Sequence, residues 1–325
     1  MMHLALIGCG GFGMNYVREA VERTDLALVA VCDPNPDARA KAAQTVGAKA
    51  YESVDAALDH PDLDAVIVAT PNYLHAEIAC AAASRGLHVL SEKPMATNLA
   101  DAERMIAVCR EAGVRLMIGL SSRYTAAFRE AYALVSSGQL GEPLMITNRY
   151  HYALAPAAPG RTWHNDPARM GGGALIQMGI HSIDRVGWFA GAVPEAVCAR
   201  VAKGGARWSD NLALCQVTYR NGVLGSIEVA GVASANLNTM TVHLTQGEII
   251  IERSAVRWYD GAWHETQHPG NALARELDDL VAAIEYDREP VCSGVVALAA
   301  HQVCFGAYRS AKEGRVVEIH DGELG

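Results

Sequence analysis

Short apolar runs alternate with helical periods through the first third of the chain, and this alternation restricts the possible folds more than any other feature. Strands are predicted for residues 4–7, 26–32, 65–69, 88–90 and 114–118. Helices are predicted between them, for residues 14–23, 37–46, 54–58, 74–85 and 99–111. Apolar strands that alternate with helices are typical of a parallel sheet with helices on both faces. With right-handed crossovers, the pattern predicts an α/β fold with a doubly wound parallel sheet.

A glycine-rich turn joins the first predicted strand to the first predicted helix. It has the pattern G-x-G-x-x-G, in the residues Gly8, Cys9, Gly10, Gly11, Phe12 and Gly13. In dinucleotide-binding domains the first glycine permits the tight turn, the second lets backbone approach the pyrophosphate, and the third lets the helix pack on the strand. The helix N-terminus then faces the phosphates with free N–H groups. The motif predicts an N-terminal Rossmann domain; a glycine-rich turn without function and a methyltransferase loop are the alternatives.

Asp33 ends the second predicted strand, 20 residues after Gly13. A carboxylate at this place accepts hydrogen bonds from the adenosine ribose hydroxyls and repels a 2′-phosphate. No arginine follows immediately, because the next residues are Pro34 and Asn35. The position favours NAD over NADP as the cofactor, whereas the structural alternative is an aspartate in a turn.

A polar segment follows the strand predicted for residues 65–69. It consists of Thr70, Pro71 and Asn72, with His75 beyond them. Ligands of doubly wound folds bind outside the carboxyl ends of the strands, so these residues are predicted to bind the cofactor. A turn that caps a helix explains the same residues and does not exclude this role.

Glu92 and Lys93 follow the next predicted strand and precede Pro94. At that strand end a lysine faces the nicotinamide side of the crevice. Its ammonium group can hydrogen-bond a substrate hydroxyl and favour the alkoxide in the transition state, and desolvation would lower its pKa. A surface ion pair is the alternative for these two residues.

The pattern changes in the second part of the chain, where strands predominate. They are predicted for residues 144–151, 197–201, 212–219, 223–229, 239–245, 248–252 and 256–259, and helices for residues 175–189, 272–286 and 295–312. Asn221-Gly222 indicates a hairpin in which both turn positions have positive φ. We therefore predict a Rossmann domain over residues 1–120 and, over residues 121–325, an α+β domain with an open, mostly antiparallel sheet.

A histidine lies on one of these predicted helices, after the glycines 171–173. Gln177, His181 and Asp184 are spaced i, i+4 and i+7, which places them on one helix face. A histidine between polar groups suits proton transfer near neutral pH, although a structural histidine has the same pattern. No second histidine has metal-ligand spacing, and no G-x-S-x-G motif is present, so neither a metal site nor a serine nucleophile is predicted.

Composition excludes several classes of function. Of the 325 residues, 50% are apolar and 19% charged, which excludes general disorder. A net charge of −9 without a basic run argues against binding to nucleic acid or to a membrane surface. We find no signal peptide, no apolar run long enough to span a membrane and no C-x-x-C among the eight cysteines. These features lead us to expect a cytoplasmic protein with reduced cysteines.

Taken in order, these motifs resemble those of the Gfo/Idh/MocA family, which includes glucose–fructose oxidoreductase and inositol dehydrogenase. The resemblance runs from the glycine motif to a C-terminal stretch at residues 308–314. It implies a dehydrogenase that transfers hydride between a CH–OH group of a sugar, polyol or related hydroxylated molecule and NAD. By position, Lys93 and His181 resemble the catalytic lysine and histidine of the family. Gln177 stands where many members have Asp, which puts the details of the proton relay in doubt.

Two alternatives to this function stay open. One is a non-catalytic NAD- or sugar-binding regulatory protein, and the other is a dihydrodiol-type dehydrogenase.

Other polar or aromatic residues are predicted to line the substrate pocket, namely Arg123, Tyr150, His151, Tyr152, Trp163, His164 and Asn165. The strands at 212–219 and 223–229 carry apolar residues on both faces, so we predict a homodimer or homotetramer through this sheet.

Overall fold

A computed structural model of the chain describes residues 1–153, 163, 166–204 and 209–320, with the backbone alone at 233–235. The chain divides into two compact units. The first unit comprises Met1–Ser121 and Leu273–Leu298, and the second comprises Ser122–Ala272 and Ala299–Gly325. Residues 273–298 thus belong to the first unit, whereas the predicted division at residue 120 gives them to the second domain.

The first unit contains a six-stranded sheet whose neighbouring strands are all parallel. Its strands are β1 (Met2–Ile7), β2 (Leu26–Cys32), β3 (Lys49–Tyr51), β4 (Ala65–Val68), β5 (His88–Ser91) and β6 (Leu116–Ile118). Its first helices are α1 (Gly13–Ala20), α2 (Pro36–Val46), α3 (Val54–Leu58), α4 (His75–Ala83) and α5 (Leu99–Glu111). The order β3-β2-β1-β4-β5-β6 reverses direction at β1, and such a switch point is where doubly wound sheets bind ligands.

The central strands of this sheet are buried throughout, as the continuous apolar runs predict. All four residues of β4 are buried, and so are five of the six in β1. The helices begin at local signals: the Asn35 side chain accepts hydrogen bonds from the N–H groups of Asp37 and Ala38 at the start of α2. The predicted doubly wound parallel sheet is confirmed.

The second unit contains a nine-stranded, mostly antiparallel sheet with the order β14-β13-β12-β11-β7-β10-β9-β8-β15. Its strands are β7 (Pro143–Ala153), β8 (Pro194–Ala202), β9 (Leu212–Tyr219), β10 (Leu224–Ala230), β11 (Val232–Leu244), β12 (Glu248–Glu252), β13 (Ala255–Tyr259), β14 (Trp263–Gln267) and β15 (Val317–Glu318). Only β7 and β10 pair in parallel among its described strands. The predicted α+β architecture is confirmed.

Helices accompany the second sheet. They include α6 (Ala126–Ser136), the short α7 (Pro167–Met170) and α8 (Ile180–Ala190), which packs against β7 and β10. The chain ends with α9 (Ala272–Glu285) and α10 (Gly294–Glu313), and the boundary between the units falls within α10. None of the described helices is long and apolar enough to cross a membrane.

The hairpin between β9 and β10 forms as predicted, but its turn differs from the expected type. Gly222 has a φ of 86°, whereas Asn221 is not among the positive-φ residues. The Asn221 side chain instead accepts a hydrogen bond from Val223 N and donates one to the Ala190 carbonyl. The prediction of positive φ at both turn positions is therefore wrong for Asn221, because its side chain stabilises a different turn.

Candidate active site

The glycine-rich turn between β1 and α1 depends on two glycines for steric reasons. Gly8 has a φ of 99°, and a Cβ atom there would lie 2.5 Å from the Ala69 carbonyl oxygen at the end of β4. A Cβ atom at Gly13 would lie 1.9 Å from the Gly8 carbonyl oxygen. The third glycine of the motif thus lets α1 pack closely against the turn itself. At the start of α1, Met14 N donates to the Gly10 carbonyl and Asn15 N donates to the Phe12 carbonyl. A helix N-terminus at this place is where dinucleotide-binding folds hold the phosphates.

Asp33 is held by backbone at both carboxylate oxygens. Oδ2 accepts from Cys9 N in the glycine turn at 2.8 Å, and Oδ1 accepts from Asn35 N at 2.8 Å. Each oxygen keeps a second lone pair, which suits the two hydroxyls of a ribose. The Arg39 guanidinium also lies close by, because its Nη1 donates to the carbonyls of Asp33 and Pro34. The sequence spacing gives no sign of this arginine, since it is a full helical turn into α2.

His75 joins two of the loops at the carboxyl edge of the first sheet. Its Nε2 lies 2.9 Å from the Thr70 carbonyl oxygen, and its Nδ1 lies 2.8 Å from the Pro94 carbonyl oxygen. The ring is buried, and burial lowers its pKa, with the nearby Lys93 charge adding to this effect. His75 therefore lies between the segment at residues 70–72 and the segment at residues 92–94, and as a neutral imidazole it donates a hydrogen bond to one of the two carbonyls.

Glu92 and Lys93 lie at the end of β5 in a largely buried environment. Burial raises the pKa of Glu92 to about 7, although the Lys93 charge and a hydrogen bond from Tyr16 lower it. Burial lowers the pKa of Lys93, and the Glu92 charge opposes this. A Cβ atom at Gly119 would lie 3.0 Å from Glu92 Oε1, so this glycine leaves the space that the carboxyl group occupies. The surface ion pair considered from the sequence does not describe Glu92, which is 7% exposed.

In the second unit, His181 lies near the N-terminus of α8, after a π-helical turn at Leu175–Gly179. The turn contains Gln177, whose Nε2 donates to the Met170 carbonyl at 3.5 Å. His181 and Gln177 are both buried. Single π-helical turns occur frequently at functional sites, and the sequence periodicity alone did not reveal this one.

The third residue of the predicted polar face, Asp184, is engaged by Arg123. The guanidinium Nη2 and Nε donate to Asp184 Oδ1 at 2.7 and 3.0 Å, and Nε also lies 3.1 Å from Oδ2. The guanidinium carbon of Arg123 lies 5.1 Å from the ring centre of Trp188. A role for Arg123 in substrate binding stays a prediction, because the pair is an equally good anchor for α8.

The predicted pocket residues on β7 divide between its two faces. His151 Nε2 lies 2.6 Å from Glu228 Oε1 on the neighbouring β10. The Tyr150 and Tyr152 rings lie together on the other face, with their centres 5.6 Å apart, and burial raises the pKa of both hydroxyls. Arg185 is buried, and its guanidinium carbon lies 5.7 Å from the ring centre of Tyr150. Its guanidinium group donates to Ser122 Oγ and Asn238 Oδ1. Trp163 is half-buried, whereas His164 and Asn165 lie outside the described residues.

Asp210 and Tyr308 hold the glycine loop before the π-helical turn. Tyr308 Oη accepts from Gly173 N at 3.0 Å and donates to Asp210 Oδ2 at 2.9 Å, and Asp210 Oδ1 accepts from Leu175 N. A Cβ atom at Gly172 would lie 2.4 Å from Tyr308 Oη. The loop geometry therefore explains why glycines precede the histidine, and why Tyr308 stands in the C-terminal stretch of the resemblance.

Comparison with known proteins accounts for both units. Residues 2–120 match the family model of the oxidoreductase family with an NAD-binding Rossmann fold, and residues 128–250 match the GFO/IDH/MocA C-terminal domain. The chain belongs to the GFO/IDH/MocA oxidoreductase family. The predicted resemblance is thus confirmed, and the protein is an oxidoreductase.

Several characterised members of the family are similar over most of the chain. The 1,5-anhydro-D-fructose reductase of Ensifer adhaerens is 27% identical over 99% of this chain and 100% of its own length. The myo-inositol 2-dehydrogenase of Thermotoga maritima is 30% identical over 70% of this chain and 68% of its length. The aldose-aldose oxidoreductase of Caulobacter crescentus, solved with glycerol, is 30% identical with a TM-score of 0.88 and coverage of 98% and 99%.

Metal ligands and reactive thiols do not contribute to the described site. No group of three or more His, Cys, Asp or Glu side chains is arranged to hold a metal ion within the described residues. The eight cysteines are all free thiols, and seven of them are buried. Burial raises the pKa of several of these thiols, including Cys9 in the glycine turn, to about 12, so they are poor nucleophiles at neutral pH.

Proposed function

We propose that the protein reversibly oxidises a CH–OH group of a sugar, polyol or related hydroxylated molecule, with NAD as the cofactor. One observation carries the proposal: the glycine turn, Asp33, the loop at Thr70 and Lys93 follow the adjacent strands β1, β2, β4 and β5 of one parallel sheet. The carboxyl ends of neighbouring parallel strands meet at one edge, where dinucleotides bind.

The residues of the first unit fit NAD. Gly8 and Gly13 allow the tight turn and the close packing of α1 that bring the helix N-terminus to the place of the pyrophosphate. The Asp33 carboxylate is fixed by its hydrogen bonds from Cys9 N and Asn35 N and keeps lone pairs that can accept from the ribose hydroxyls. A carboxylate beside the ribose repels a 2′-phosphate, which supports NAD over NADP. We assign three further residues to this site, namely Phe12, Asn72 and His75.

The chemistry needs a group that takes a proton and a group that stabilises negative charge. Bound NAD supplies a hydride acceptor. In our proposal His181 accepts the proton of the substrate hydroxyl, and Lys93 stabilises the partial alkoxide as the C–H bond breaks. The presence of both residues favours catalysis over non-catalytic ligand sensing. Further substrate contacts are proposed for Gln177, Arg123, Tyr150, Trp163 and His164.

The relatives support a sugar or polyol as the substrate, because their names refer to anhydrofructose, inositol and aldoses. The test is a panel of sugars, inositols and diols with NAD or NADP, followed by the absorbance of the reduced nicotinamide. We expect turnover with at least one polyhydroxy substrate and faster turnover with NAD. Absence of turnover across the panel, in either direction, by a protein that binds NAD would support the sensing alternative.

The open sheet of the second unit supports a homodimer or homotetramer. Its strand pairing aligns Leu224, Met145, His243, Glu248, Tyr259 and Trp263 in one row across six strands. The four apolar and aromatic side chains at the ends of this row are each about 40–50% exposed, and the ion pair of His243 and Glu248 lies between them. Leu214, further along the same face on the neighbouring β9, is 60% exposed. A second copy of the chain would cover this apolar surface.

We place the protein in the cytoplasm, where its eight thiols would stay reduced.

A further inference from the structure

Tyr16, Glu92 and Glu276 form a buried row of hydrogen-bonding oxygens in the first unit. The Tyr16 hydroxyl, from α1, lies 2.7 Å from Glu92 Oε1 and 2.9 Å from Glu276 Oε1 in α9. All three residues are less than 10% exposed. This carboxyl–phenol row connects a helix near the end of the chain to the residue that precedes Lys93.

The number of protons in the row follows from its geometry. A tyrosine hydroxyl has one proton and can donate it to only one of the two carboxyl groups. If both carboxyl groups were ionised, one carboxylate oxygen would face the phenol oxygen at hydrogen-bond distance with no proton between them. Burial makes such a contact very unfavourable, because neither charge is solvated. One carboxyl group therefore carries a proton and donates it to Tyr16 Oη.

The surrounding charges favour Glu276 as the protonated member. Beside Glu92 lies the cation Lys93, whose backbone N–H also donates to Glu92 Oε2 at 3.2 Å. Beside Glu276 lies Asp279 on the same helix, whose carboxylate accepts from Arg288 Nη2 and from Val291 N. A nearby cation lowers the pKa of a carboxyl group and favours its ionised form, whereas a nearby anion raises the pKa and favours the neutral acid.

Two further observations agree with this distribution of charge. Burial raises the pKa of Glu276 well above its usual range, and the charges of Glu92 and Asp279 add to this effect. Within the described part of the chain, Glu276 Oε2 is buried without a hydrogen-bond partner. Burying the carbonyl oxygen of a neutral acid without a hydrogen-bond partner costs much less free energy than burying a carboxylate oxygen without one.

We propose that Glu276 is a positioning residue, held as the neutral acid, that acts through Tyr16 to keep Glu92 ionised beside Lys93. The hydrogen bonds then run in one direction, from Glu276 to Tyr16 and from Tyr16 to Glu92. The ionised Glu92 in turn keeps Lys93 as an ammonium group in its buried position. The consequence for catalysis rests on the proposed role of Lys93, whereas the protonation state of the row is independent of turnover.

The first test reads the row directly, in the full-length protein without substrate. The infrared spectrum recorded well above pH 7, where Glu92 is ionised, should contain the C=O stretching band of a buried protonated carboxyl group, well separated from the carboxylate bands. Glu276→Gln should remove this band. Tyr16→Phe should shift it, because the acid loses its acceptor, and should add a second band because Glu92 takes up a proton. Loss of carboxylate absorption in Glu276→Gln, with the protonated band intact, would overturn the proposal without bearing on the proposed function.

The second test is the pH dependence of kcat, which a purely structural role would not move. Tyr16→Phe removes the donor to Glu92, so the pKa of Glu92 rises, Glu92 takes up a proton and Lys93 loses its anionic neighbour. The pKa of Lys93 then falls, and the alkaline limb of the profile should move to lower pH by about one unit. Glu276→Gln keeps a neutral donor and should shift the limb less. An equal or larger shift in Glu276→Gln, or none in Tyr16→Phe, would overturn the proposal; if Tyr16→Phe does not fold, the infrared result for Glu276→Gln decides.

Discussion

At the scale of single residues, the proposed preference for NAD over NADP rests on Asp33. Asp33→Ala removes both the ribose acceptor and the repulsion of a 2′-phosphate, so the preference for NAD over NADP should narrow. Asp33→Asn is the closest control, because it removes the charge and keeps one oxygen that can accept from Cys9 N, although the hydrogen bond from Asn35 N to the second oxygen is lost. Titration of each variant with both cofactors, followed by fluorescence, measures the ratio of dissociation constants. Equal or tighter binding of NADP by the unchanged protein would contradict the assignment.

Gln177 stands where the resemblance to the family leads us to expect Asp, so its substitution tests whether the chemistry departs from that of other members. If Gln177 only replaces the usual carboxylate, Gln177→Asp should raise activity on common sugars. If it binds the substrate of this enzyme through its amide, Gln177→Asp should lower activity on that substrate, because a carboxylate cannot donate a hydrogen bond at neutral pH. We expect lower activity, because the substitution also removes the hydrogen bond that the Gln177 amide donates to the Met170 carbonyl. Steady-state rates of both proteins on the same substrate panel distinguish the two.

The sequence indicates the candidate site residues, but it does not indicate which side chains they contact. The glycine turn, Asp33, Lys93 and His181 are identified by their places after strands or on a helix. Tyr16 and Glu276 are 260 residues apart, and nothing in either local pattern indicates that they meet. The pairing of Asp184 with Arg123 is equally hidden, because periodicity predicts which residues share a face and not what that face contacts.

At the scale of elements, the ion pair of Arg123 and Asp184 anchors α8. The Asp184 side chain is 1% exposed and that of Arg123 is 11% exposed. Asp184→Asn leaves a buried guanidinium without its counter-charge, which should lower the free energy of unfolding by about 3–5 kcal/mol. Glu313→Gln breaks the more exposed pair with Arg315 in the same unit and should cost less than about 1 kcal/mol. Urea unfolding followed by tryptophan fluorescence provides the comparison, and equal losses in the two variants would refute the anchoring role.

Several elements have the predicted bounds, including short ones, whereas β3, β15 and the mostly exposed β14 are not predicted. The predicted bounds of α5, β9 and β12 are those observed. The three-residue β3 and the two-residue β15 are too short to have a period, and β14 contains charged and polar residues because most of its side chains are exposed. The place of residues 273–298 in the first unit depends on contacts such as that of Ile118 N with the Cys292 carbonyl, which only the folded chain shows.

At the scale of the whole molecule, the exposed apolar side chains on one face of the second sheet predict self-association. The unchanged protein should have the mass of a dimer or tetramer by light scattering at micromolar concentration. Leu214→Lys places a charge on this face and should lower the mass toward that of the monomer. Tyr286→Lys replaces an aromatic residue that is 75% exposed in the first unit and should leave the mass unchanged. A monomeric mass for the unchanged protein would refute the proposed assembly.

The proposed catalysis requires that Lys93 and His181 act on the same substrate hydroxyl. The direct measurement is kcat for Lys93→Ala, His181→Ala and the double variant on a substrate from the panel, with NAD affinity measured in parallel. Each single variant should lose about 100- to 10,000-fold in kcat with nearly unchanged NAD binding. The double variant should lose less than the product of the two losses, because residues that act as a unit are not additive. Near-normal turnover in either single variant, with NAD bound, would contradict this mechanism.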